Sequence, residues 1–196
     1  MKSVVLKDPG GVDSLALVEG PAPEPGPGQV VVRMRAAALN YRDLLVVHGG
    51  YGSKQRTENL VPLCDGAGEV TAAGEGATRF QVGDRVMANP FRHWISGPPT
   101  EAKLASSIGS MLDGCLSEVR VFDEDALVAT PSHLSDVEAA ACPCAGLTAW
   151  SAIVTQGAVA PGDVVLIQGT GGVSLFALLF AKLAGAVAIV TSSCDE

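Results

Sequence analysis

The chain has 196 residues, 47% of them hydrophobic, with a net charge of −8 and a mean hydropathy of +0.31, which bounds it to one large or two small well-buried domains. The acidic excess without a basic cluster argues against nucleic acid as a partner. No apolar run looks long enough to cross a bilayer, residues 1–10 lack the apolar stretch of a secretory signal, and five cysteines without a CxxC pair fit free thiols, so no membrane partner and a cytoplasmic, reducing setting are expected.

Up to about Ser132 the sequence reads as short Val-rich strands punctuated by Gly and Pro: 3–6, 15–19, 29–36, 67–72, 84–88, 116–122 and 126–129. That spacing predicts a small, mostly antiparallel barrel. The Pro/Gly-rich stretch 21–28 is a stiff loop between two of these strands. Residues 40–47 read as a helix with Asn40 as its cap and Asp43 at the third helical position. Ser135-Asp136-Val137-Glu138 is a capping box that opens an Ala-rich helix toward Val154.

Next comes the apolar run Val164-Val165-Leu166-Ile167-Gln168, which stops in Gly169-Thr170-Gly171-Gly172-Val173-Ser174 and resumes as an apolar segment to Gly185. This predicts a buried strand, a tight turn and a helix, the opening unit of a dinucleotide-binding fold. Gly169 permits the turn, and Gly171 removes the side chain that would hold a pyrophosphate away from the backbone. The phosphates would lie at the helix N-terminus, among unpaired N–H groups. Ser174 stands where a third glycine is usual. A second strand over 187–191 ends in Thr191-Ser192-Ser193, where hydroxyls would suit a 2′-phosphate better than a carboxylate would. NADP(H) is therefore favoured, and NAD(H) stays open. A glycine turn in some other α/β protein is the competing reading.

Several ordered motifs carry a resemblance. Asn40-Tyr41-Arg42-Asp43 is followed by Gly49-Gly50-Tyr51, then Asp65-Gly66-Ala67-Gly68-Glu69-Val70, Gly74, Gly83-Asp84-Arg85-Val86 and Pro143-Cys144-Ala145-Gly146-Leu147-Thr148-Ala149-Trp150. Together with the glycine turn they resemble the medium-chain dehydrogenase/reductase family, in its zinc-free, quinone-oxidoreductase-like branch. The resemblance implies a mixed α/β fold: a GroES-like, mostly antiparallel barrel over 1–131, then the start of a Rossmann-type parallel sheet over 132–196. The sequence is expected to stop short of a complete nucleotide domain, and a chain ending there is expected to turn over little.

Zinc-dependent relatives need three converging soft or borderline ligands. Asn40 stands at the first ligand position, Cys64-Asp65 replaces the His-Glu pair, Cys144 matches the third position, and residues 89–114 contain no cysteine for a structural site. No metal is therefore expected, with capture of one by Cys64 and Cys144 as the alternative to buried structural thiols. The resemblance implies a small-molecule substrate, a quinone, enone or similar carbonyl compound, with hydride passing from the nicotinamide to a polarised C=C or C=O bond and donors stabilising the developing oxyanion. It assigns Tyr51 as the hydroxyl donor and brings Asn40 to the substrate oxygen or nicotinamide, with Thr148 near the nicotinamide. Each has a plainer alternative: Tyr51 as a plug in a glycine-rich loop, Asn40 as a helix cap only, and Thr148 bonding its own backbone. Tyr41 reads as a pocket wall or core aromatic. A homodimer is the family's usual assembly. Two other classes stay open, a non-catalytic cofactor-binding protein and a barrel-type interaction module.

Overall fold

The computed structural model describes residues 1–52 and 55–192, in two compact units, 1–143 and 144–196. The units part within a helical run, later than the composition change near Ser132, because the first turns of that helix pack on the sheet of the first unit.

In the first unit β1 (Lys2–Leu6) pairs antiparallel with β2 (Leu15–Glu19), Val4 opposite Leu17. A separate five-stranded sheet combines β3 (Gln29–Ala38), β4 (Asp65–Ala73), β5 (Arg85–Ala88), β6 (Val119–Asp123) and β7 (Leu127–Ala129), in the order β6-β3-β4-β5-β7, antiparallel throughout. The long central pair β3/β4 carries the Asp-Gly-Ala-Gly motif. A Cβ at Gly68 would lie 2.2 Å from the Arg33 carbonyl oxygen, so this register admits only glycine there. Val30, Val31, Val32, Val70 and Val86 are buried and form the core.

Helix α1 (Tyr41–Val47) follows β3, and a four-residue helix α2 (Glu101–Leu104), which the sequence reading did not anticipate, lies in the long loop before β6. Helix α3 (Asp136–Ala141) starts at the expected capping box: the Ser135 N–H donates to Glu138 Oε2 at 2.8 Å and the Glu138 N–H to Ser135 Oγ at 3.3 Å. Its Ala139 and Ala140 pack on Ala67, and Arg85 grips Asp136 through Nε (2.9 Å) and Nη2 (2.7 Å).

The helical run continues through wide π-type turns to Gln156, with α4 (Leu147–Trp150) between them. Residues 136–156 form one helix long and apolar enough to cross a membrane by length and composition, which corrects the expectation that no such run exists. Six of its residues are alanine, and 33% of its most apolar window is buried inside the protein.

In the second unit β8 (Val164–Gln168), α5 (Gly172–Leu183) and β9 (Val187–Thr191) form a parallel two-stranded β-α-β unit, Leu166 opposite Ile189. Ala149, Ile153, Ile167, Ala177 and Ala181 make its core. The expectation of a buried strand holds for one face only: Ile167 is buried, whereas Val164 and Leu166 are 66% and 60% exposed. Helices α4 and α5 cover that one face, and the alternate side chains point away from it.

Candidate functional site

Helix α1 organises the first unit's polar centre. At its N-cap, Asn40 is extended (φ −122°, ψ 156°), its N–H donates to the Asp43 carboxylate at 2.8 Å, and the Asp43 N–H donates back to the Asn40 carbonyl at 2.9 Å. The side-chain amide is directed elsewhere. Asn40 Nδ2 donates to Asp65 Oδ2 at 2.9 Å and lies 3.8 Å from Cys64 Sγ, whose thiol in turn lies 3.4 Å from Asp65 Oδ1.

Asp65 and Cys64 are fully buried, and Asp43 is 5% exposed. Burial pushes the Asp43 carboxyl above its ordinary 3.8; the Asn40 N–H and the Arg42 charge oppose this, and the Asp65 charge reinforces it. The segment entering the cluster is bent at Leu63, a buried residue with φ of +71°, a conformation that costs a bulky side chain about 1–3 kcal/mol. Cys115, whose N–H donates to the Leu63 carbonyl at 2.8 Å, and Gly114, whose N–H donates to the Val61 carbonyl at 2.6 Å, hold it there.

Two residues after Asn40, in the first turn of α1, Arg42 turns toward a cleft. Its Nη2 donates to Ser107 Oγ (2.9 Å), Ser110 Oγ (3.1 Å) and the Ile108 carbonyl (3.3 Å), and its guanidinium carbon lies 4.5 Å from the Tyr51 ring centre. Tyr51, Ser107 and Ser110 line a cleft of about 640 Å3, together with Phe91, Met111 and Glu101. Tyr51 also packs on the cluster of Leu6, Val46, Val47 and Leu60, and its N–H donates to Gln55 Oε1 at 3.2 Å. An apolar cleft with a few placed hydroxyls suits a small carbonyl compound.

The structure thus places Tyr51 on the cleft wall and Asn40 against Cys64 and Asp65, at opposite ends of α1. Tyr41 is 77% exposed and is neither a core aromatic nor among the residues lining the cleft, because it starts the first helical turn on the outer face. Ser107, Ser110 and the role of Arg42 were missed by sequence reasoning. A serine-rich loop carries no periodic signal, and only the arginine inside Asn40-Tyr41-Arg42-Asp43 hinted at a half-buried cation.

In the second unit the glycine turn has the expected local form. Gly169 has φ of +86°, its N–H donates to the Thr191 carbonyl at 2.9 Å, and Gly171 is the extended N-cap of α5. A Cβ on Gly171 would meet nothing within 4 Å, whereas one on Gly172 would lie 3.4 Å from Ala145 Cβ. The close packing that a third glycine usually provides therefore falls at Gly172. Ser174 instead donates its hydroxyl to the Gln168 carbonyl at 3.0 Å and ties the helix to the strand end. Above Gly171 the first-turn N–H groups, including that of Val173, have no partner within the helix ladder. Thr170 lies within the turn itself. Thr148 donates its hydroxyl to the Cys144 carbonyl at 2.6 Å, one turn back along its own helix. Ser192 follows β9, and Ser193 lies outside the described residues.

Residues 26–132 match the alcohol dehydrogenase GroES-like domain family. Over its whole length the chain is 42% identical to a zinc-type alcohol dehydrogenase-like protein of Schizosaccharomyces pombe, of which it covers 57%. A provisionally named alcohol dehydrogenase of Sinorhizobium meliloti 1021 superposes on all of the chain with a TM-score of 0.89 at 42% identity, 58% of that protein being covered. A quinone oxidoreductase of Pseudomonas syringae pv. Tomato DC3000 matches 99% of the chain with a TM-score of 0.78 at 33% identity, again over 53% of its own length. The chain thus spans a little over half the length of these three relatives, and within that span it belongs to the medium-chain alcohol dehydrogenase family, through its GroES-like domain.

Proposed function

We propose that this protein is an NADP(H)-dependent, zinc-independent oxidoreductase of the quinone, enone or enoyl reductase type. The observation that carries this reading is the open cradle at Gly171, where the turn from β8 exposes the first N–H groups of α5 and leaves space that any side chain would fill. Gly169, Thr170, Gly171, Gly172 and Val173 would hold the pyrophosphate, and the hydroxyl of Ser192, with Ser193 beyond it, would favour a 2′-phosphate. Bound NADPH supplies the hydride.

The chain's own residues do the rest. Phe91 and Met111 would shield one side of a bound carbonyl compound from water, and the Tyr51 hydroxyl would donate to the oxygen on which negative charge develops. Arg42 beneath the ring adds a positive field and keeps the ring in place. Asn40 supports zinc independence: its amide N–H group points at Asp65 and Cys64, so a donor stands where the zinc-dependent pattern has a thiolate lone pair. A cytoplasmic setting and assembly as a homodimer belong to the same reading.

The test is a titration with NADPH followed by turnover on a panel of enones and quinones, before and after exhaustive chelation. Saturable NADPH binding and chelator-resistant turnover are expected, with Tyr51→Phe lowering kcat on the order of 10²-fold. Absence of NADPH binding, or activity restored only by zinc, would overturn the proposal.

A further inference from the structure

Away from the Tyr51 cleft, three guanidinium groups of the first unit surround a recess that the oxidoreductase reading does not use. Arg56, Arg92 and Arg120 line a cavity of about 190 Å3, together with Asn89, Asp113 and the apolar Phe122. Arg92 is matched by Asp123, which takes hydrogen bonds from its Nε and, at 2.6 Å, its Nη2, and a further one from Gln29.

Asp113 has to serve the other two. Its Oδ1 accepts from Arg56 Nη2 and from the Val61 N–H at 3.0 Å, and its Oδ2 is 3.8 Å from Arg120 Nη1. Three cations thus face two carboxylates, and one positive charge is left over. The shortfall is visible in the hydrogen bonds as well. Arg56 Nε and Arg120 Nε are buried and make no hydrogen bond among the described residues, although buried polar groups are normally paired. Burial pushes Arg120 below the usual arginine range; Asp113 opposes this, and the nearby Arg56 and Arg92 add to it.

We infer that the recess bounded by Arg56, Arg92 and Arg120 binds a small oxyanion of the phosphate class. Three guanidinium groups lining one recess, two of them with an unpaired Nε–H, match a tetrahedral oxyanion, which offers several oxygens, better than they match a spherical halide. The apolar sides strengthen that attraction by keeping the local dielectric low. The limited volume restricts the ligand to the oxyanion itself, with Asp113 and Asp123 remaining as the counter-charges that hold the arginines in register when the recess is empty.

The test uses the full chain and inorganic phosphate at constant ionic strength, balanced with chloride. A saturable rise in the unfolding midpoint and broadening of the phosphate 31P resonance are expected, with sulfate competing and chloride without effect. Phenyl phosphate separates the two sources of such an anion: its exclusion assigns a free oxyanion, and its binding assigns a phosphomonoester whose organic part lies outside. Arg120→Gln is expected to abolish the saturable rise. Should that variant fail to fold, Arg56→Gln, on a side chain 36% exposed, is expected to weaken phosphate binding at least about tenfold. A midpoint rise no larger for phosphate than for chloride, an unbroadened 31P line, or unchanged affinity in Arg56→Gln would overturn the inference.

Discussion

The guanidinium carbon of Arg42 sits 4.5 Å from the centre of the Tyr51 ring while the same side chain donates to Ser107 and Ser110. One residue of α1 therefore fastens two separate loops, the glycine-rich one that carries Tyr51 and the serine-rich one across the cleft. Arg42→Met keeps an apolar stem and removes the charge and all three hydrogen bonds. It is expected to lower stability by about 2–3 kcal/mol, read as a reduced urea midpoint at unchanged slope. Arg42→Lys retains the charge without the fork and should fall between the two. An Arg42→Met midpoint equal to that of the unsubstituted protein would remove Arg42 from this role.

Asp43 gives the fold a pH dependence whose sign follows from its burial. Its carboxyl is raised above 3.8 in the folded protein, chiefly by desolvation. The folded state therefore favours the protonated form. That favourable contribution is complete below 3.8 and is lost as pH rises through the raised folded value, after which it stays lost. Asp43→Asn keeps an acceptor for the Asn40 N–H and cannot ionise. Relative to the variant, the unsubstituted protein should lose about 1.4 kcal/mol between those limits for each unit by which the folded value is raised. Urea unfolding of both proteins across this range reads the difference directly, and parallel pH curves would contradict it.

Much of this arrangement was legible in the sequence, and what escaped has a physical cause. The strands of the five-stranded sheet could be placed because they are short Val-rich runs bounded by Gly and Pro, and α3 because a Ser-x-x-Glu box stands before its alanines. Their observed ends differ by a few residues where hairpin pairing extends β3 to Ala38 and β4 back to Asp65. The Asn40 cap was legible too, but not that its amide would reach Asp65, since the two lie 25 positions apart and meet only because β3 and β4 pair. The exposed side of β8 escaped because an unbroken apolar run looks the same whether one face is covered or two.

The buried thiols make a prediction about reactivity. Cys115 is 1% exposed, and burial pushes its thiol up to about 12, so almost no thiolate is present at neutral pH. Cys142 is half-buried, also raised, and donates to the Glu138 carbonyl at 3.3 Å. Peptide-mapped alkylation of the native protein at pH 8 should label Cys142 well before Cys115, with Cys115 reacting only as fast as the unit unfolds. Addition of urea below the midpoint should then accelerate Cys115 selectively. Rapid native labelling of Cys115 would show that the segment around Leu63 opens locally.

Two glycines of the same turn should respond in opposite ways to the same methyl group. Gly169 has φ of +86°, where an L side chain is strained, so Gly169→Ala is expected to cost about 1 kcal/mol of stability. Gly171 is extended, and a Cβ there meets no atom within 4 Å, so Gly171→Ala should change stability by only a few tenths of a kcal/mol, within the range of a helix cap. That methyl would instead occupy the space assigned to the pyrophosphate. NADPH affinity is therefore expected to fall at least about tenfold in Gly171→Ala at an almost unchanged unfolding midpoint. Ser192→Asp, which sets a carboxylate against the 2′-phosphate, should weaken NADPH more than NADH. Separating stability from affinity at Gly171 distinguishes a nucleotide cradle from a turn glycine kept for its backbone alone, because only the cradle makes the extended, uncrowded position the sensitive one.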